Sequence, residues 1–175
     1  MQQVDIVTLK DLPSVLLGRG SAGAAGSQHR PVITGRGFLL VADEESVRDS
    51  VVRCIKEIDS VTYLDFNAEP QGVKVSEMCI QAYGPTYHAQ KLQGLDATIL
   101  TAYGACGSRL VFDNFQDIGL QATRDVKLSL AFLRALGRPP YEVTVIAVGS
   151  TQSLDVIKLD DQLTRAWSIF EVAAD

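Results

Sequence analysis

The chain has 175 residues, a net charge of −5 and three cysteines, with 46% apolar and 21% charged residues. That length suits one domain, which at this size buries roughly 70% of its unfolded surface and needs no metal or disulfide to fold. The acidic balance argues against a sequence-reading partner of nucleic acid, because phosphates demand a basic surface. Cys54, Cys79 and Cys106 form no C-x-x-C pair, which argues against a disulfide framework and a zinc centre.

The first residues lack the positive start of a signal peptide, and no apolar run reaches the ~18 residues that span a bilayer. The expected setting is the inside of a cell, without a membrane.

Loose alternation through Val4, Ile6 and Leu9 predicts a peripheral strand. From Gly18 to Gly37 six glycines stand among Ser, Ala, Gln and Pro31. Such chain loses much entropy on ordering and has little to bury, so it reads as a long arm. The expected division is a strand and glycine-rich arm over 1–36, followed by one domain over 37–175.

The run Phe38-Leu39-Leu40-Val41-Ala42 predicts a buried strand. Asp43 follows as an N-cap, with Glu44 and Glu45 near the positive helix end. Val47, Val51, Ile55 and Ile58 then mark an amphipathic helix. A strand is expected over 61–67, a turn at Ala68-Glu69-Pro70-Gln71-Gly72, and a second strand over 73–83 with a bulge near Ser76. These two strands would form a hairpin.

Gly84-Pro85 opens a further helix carrying Leu92, Leu95, Ile99 and Ala102, and 109–115 is a strand. Residues 120–136 read two ways. Val126, Leu128, Leu130 and Phe132 alternate as in a strand, which is the favoured reading, yet the segment is also rich in helix formers. Gly137-Arg138-Pro139-Pro140 stops either element, 141–148 is a strand, and the tail around Trp167, Ile169 and Phe170 is a strand or a short helix.

From 38 to 115 the predicted order is strand, helix, strand, strand, helix, strand. The expected fold is therefore α+β: an antiparallel or mixed sheet with two helices on one face, a split βαβ-like core, plus the glycine-rich arm. Its predicted core contains Leu40, Val51, Ile55, Leu64, Phe66, Ile80, Leu92, Ile99 and Val111.

Gly18-Arg19-Gly20-Ser21-Ala22-Gly23 matches G-x-G-x-x-G, with Asp43 twenty residues beyond. A dinucleotide site needs a helix directly after the glycines to hold the pyrophosphate. Ala24-Ala25-Gly26-Ser27-Gln28-His29-Arg30-Pro31 does not supply one, so no cofactor is expected. Cys106 with His88 lacks a third group to orient the base. Two distant histidines make no metal site. Asp160-Asp161 and Asp43-Glu44-Glu45 are acidic without a catalytic pattern, and no catalytic residue is assigned.

The order of elements over about 44–148, with the junction Val75-Ser76-Glu77-Met78-Cys79-Ile80-Gln81-Ala82-Tyr83-Gly84-Pro85, resembles the tail terminator or neck proteins of long-tailed bacteriophages. The resemblance implies a non-catalytic virion assembly protein, assembled in the host cytoplasm. It would form a homo-oligomeric ring, such as a hexamer, against tail-tube, sheath or connector proteins. Arg19, His29 and Arg30 would then anchor the arm on a neighbour. The alternative is a small oligomeric enzyme or metabolite-binding protein that uses the Gly18 to Gly37 loop as a lid over an anion or substrate.

Overall fold

The computed structural model describes residues 4–16, 37–58, 61–67, 75–82, 109–139 and 141–174. In chain order these form β1 (Val4–Thr8), α1 (Leu12–Leu16), β2 (Gly37–Val41), α2 (Glu45–Lys56), β3 (Val61–Asp65) and α3 (Val75–Ala82). There follow β4 (Arg109–Asp113), a 3₁₀ helix (Phe115–Leu120), α4 (Thr123–Leu136), β5 (Thr144–Gly149), α5 (Gln152–Ile157), α6 (Asp161–Ala166) and β6 (Trp167–Ala173).

The six strands form one sheet in the order β1-β6-β2-β5-β4-β3, and every neighbouring pair is parallel. Parallel pairing requires a crossover between strands, which here is helical wherever the chain is described. Helices then cover both faces. On one face α1 and α2 lay Leu12, Leu16, Val51 and Ile55 against Phe38, Leu40, Val111 and Ile146. On the other, α3, α4, α5 and α6 pack against Leu39, Val41, Leu110, Phe112 and Val145. The central strands are buried on both sides, so they read as unbroken apolar runs.

This architecture overturns the expected antiparallel or mixed α+β sheet with helices on one face. Two local readings account for the error. Residues 73–83 were expected to form the second arm of a hairpin, but 75–82 are helix α3, whose Val75, Met78 and Cys79 are buried. A short apolar run does not separate a strand from a buried helix, and packing decided it. With that arm gone, β3 pairs in parallel with β4, Tyr63 beside Val111.

The second error is the strand favoured over 120–136. It is α4, burying Val126, Ser129, Leu130, Leu133 and Leu136 at helical spacing and leaving Leu128 exposed. The apparent alternation arose because Leu128 is a surface leucine. The tail around Trp167, Ile169 and Phe170, expected as a strand or a short helix, is strand β6, which follows two short helices and inserts between β1 and β2.

Other expectations agree with the fold. Leu40, Val51, Ile55, Leu64 and Val111 are buried, and Phe66 packs half-buried against the core. Leu92, Ile99 and the side chain of Ile80 lie outside the described residues.

Candidate functional site

In an open parallel sheet, ligands bind beyond the carboxyl ends of the strands, where two neighbouring strands send their connections to opposite faces. Here that point lies between β2 and β5. From β2 the chain enters α2 on one face, and from the adjacent β5 it enters α5 on the other.

Three residues, Ala42-Asp43-Glu44, link β2 to α2. The N-cap of α2 is Glu44, which makes no side-chain capping bond, so Asp43 is not the expected cap. Its carboxylate turns across the sheet end instead. The Thr151 backbone N–H and hydroxyl both donate to Asp43 Oδ1 at 2.9 Å. Chiefly the backbone bond, aided by the hydroxyl, holds the Asp43 carboxyl below its ordinary range despite slight desolvation. The Ala42 N–H donates to Gly149 O at 2.9 Å, extending the β2–β5 ladder. Arg48 Nη1 donates to Ala42 O at 2.8 Å and Asp43 O at 2.6 Å, fastening the turn from within its own helix. The crevice between β2 and β5 is thus closed by protein-to-protein bonds.

The neighbouring strand ends continue the seam. Asn114 stands after β4 in the left-handed region, φ 55°, a conformation that asparagine tolerates better than most residues. Its amide donates to Asp65 Oδ1 at 2.9 Å, joining the ends of β4 and β3. The Asn67 N–H reaches the same oxygen at 2.9 Å. Gln116 Nε2 donates to Asn114 Oδ1 at 3.4 Å, and Gln116 Oε1 accepts from the Ser150 N–H at 3.1 Å. Asp113 receives the Tyr63 hydroxyl on one oxygen and its neighbour's N–H, from Asn114, on the other. Burial, then the bond to Asp113, pushes the Tyr63 phenol well above its ordinary range. Lys56 Nζ sits 3.9 Å from the centre of the same ring, a cation–π contact.

Asp117, in the 3₁₀ helix, has its carboxyl raised by burial and then by the charge of Asp65. Among the described residues no group of His, Cys, Asp or Glu is arranged to hold a metal ion. No described helix is long and apolar enough to cross a membrane.

None of these seam residues was singled out from sequence, apart from Asp43 and its mistaken capping role. One signal was present: Leu110-Val111-Phe112-Asp113 is an apolar strand ending in a carboxylate. The arm residues Arg19, His29 and Arg30, residues 18–36 of the Gly18 to Gly37 loop, His88 and Cys106 lie outside the described residues, and Gly37 is the first residue of β2. Cys79 is buried, and Cys54 is half-buried with its thiol raised, mainly by desolvation.

The parallel sheet wrapped on both faces, with its switch point at β2 and β5, is a doubly wound α/β architecture. The solved structures it resembles agree. The Walker-type ATPase PABY2304 of Pyrococcus abyssi superposes with a TM-score of 0.59 at 16% identity, covering 79% of this chain and 48% of that one. The ORC2 protein of Aeropyrum pernix, solved in ADPNP–ADP complexes, gives 0.58 at 13% identity, covering 95% of this chain and 46% of that one. The chain spans about half the length of either structure. No family model matches the chain, and no curated protein does.

At such identities the likeness establishes the fold. It overturns the resemblance to phage tail terminators, and with it the virion role at a head–tail neck. The order of elements that carried that resemblance rested on the second arm of a hairpin and on a late strand, both of which are helices.

Proposed function

We propose that this chain is a domain of Walker-type ATPase architecture whose β2–α2 turn neither cradles nor hydrolyses a nucleoside triphosphate. The carrying observation is the β2–α2 turn. In an ATPase of the Walker kind, a glycine-rich loop joins such a strand to its helix. Its backbone N–H groups cradle the phosphates, and a lysine opens the helix. Here the link is Ala42-Asp43-Glu44, with Glu45 opening the helix and Asp43 tied to Thr151. A triphosphate at this point would face three carboxylates where a cradle supplies N–H dipoles and a cation.

The strand-end acids support the same reading. A carboxylate at the end of the β4 type of strand holds Mg²⁺ in P-loop enzymes. In this chain both oxygens of Asp113 already accept hydrogen bonds from Tyr63 and Asn114, and Asp65 binds Asn114 and Asn67. These acids act as cross-links between strand ends.

A second reading, nucleotide binding without turnover, has one observation in its favour. Asp113 stands where that fold places its metal-binding acid, at the end of the strand next to β5. The ADPNP and ADP found with the Aeropyrum pernix protein make those nucleotides the right probes. Calorimetric titration with ADP, ADPNP and Mg-ATP, together with a phosphate-release assay, tests both readings. The proposal expects no turnover and no binding below millimolar concentration. Tight ADPNP binding without turnover would favour the second reading, and turnover abolished by Asp113→Asn would overturn both.

A further inference from the structure

We draw no further inference here: the strongest candidate, the outer edge of the sheet at β1, where Val4 and Ile6 stand exposed beside β6, carries none because nothing in the structure shows what covers it.

Discussion

Gly37 lies against the indole of Trp167, so close that a β-carbon on Gly37 would stand 1.9 Å from Trp167 Nε1. The two residues pair directly across β2 and β6. Trp167 is itself buried and packs on Phe115, with ring centroids 5.9 Å apart, so the indole has little room to withdraw. One glycine thus admits the large residue that closes the core at the start of β6.

Gly37→Ala should therefore destabilise the fold by about 1–3 kcal/mol, the usual range for overpacking. In a chain of this size that lowers the melting temperature by roughly 2–4 °C per kcal/mol. Trp167 is the single tryptophan, so its emission should shift in the same variant. Pairing Gly37→Ala with Trp167→Leu should cost less than the sum of the two single changes, which a double-mutant cycle measures.

The helical assignment of α4 has a direct energetic signature. Were 120–136 a strand, Leu128 and Leu130 would share one face. In the helix Leu130 is fully buried and Leu128 is 52% exposed. Leu130→Ala should cost about 2–5 kcal/mol in urea unfolding, and Leu128→Ala should stay within about 0.5 kcal/mol of the parent. Similar costs at both positions would contradict the helix.

Asp117 and Asp43 respond to acid with opposite signs. The Asp117 carboxyl is raised by burial and by Asp65, so its ionised form weakens the folded state above the ordinary carboxylate range. Lowering the pH protonates it and removes that burden. Asp117→Asn should raise the melting temperature at pH 7, and the gain should vanish as the pH falls to the range where the unfolded carboxyl itself protonates. Asp43 is lowered by its bonds to Thr151. Its contribution is present above the unfolded carboxyl range and lost as the pH falls through the folded value, so Asp43→Asn should flatten the acid limb. Melting curves between pH 3 and pH 8, in the span of roughly pH 3–8 where carboxylates complete their titration, separate the two.

Tyr63 governs the alkaline side. Its phenol is raised above the ordinary tyrosine range, first by burial and then by the bond to Asp113. The stability this supplies is fully present below the unfolded tyrosine range and fades as the pH rises towards the folded value. Tyr63→Phe should lower stability at pH 7 by about 1.5–3 kcal/mol at most, the range for a hydrogen bond to a charged group, and by less to the extent that water reaches Asp113. It should also remove one slow-ionising tyrosine from the ultraviolet titration. A parent protein in which all five tyrosines ionise together would contradict the Tyr63–Asp113 bond.

What residues alone determined here is whatever depends on local period. The run over 38–42 is β2 and its next residue, and the stripe Val47, Val51, Ile55 is the buried face of α2. The buried positions Leu64 and Val111 were likewise legible. Strand direction was not, because pairing is made by residues far apart in the chain. β2 meets β5 and β6 through contacts spanning more than a hundred residues, and the unbroken run GFLLV signals burial on both faces without naming its neighbours. Short apolar segments such as 75–82 fit two periods equally, and only the sheet face that they cover selects the helix.

The candidate site follows the same division. Asp43, Glu44 and Glu45 were visible as acids before a helix, and that local context suggested a cap. The partner that redirects Asp43 is Thr151, 108 positions away. Asp65 and Asn114, 49 positions apart, come together only because β3 and β4 pair in register. The strand-end seam is a product of strand order, in which β5 lies between β2 and β4. Side-chain chemistry was written in the sequence, but which carboxylates face one another was decided by the parallel sheet.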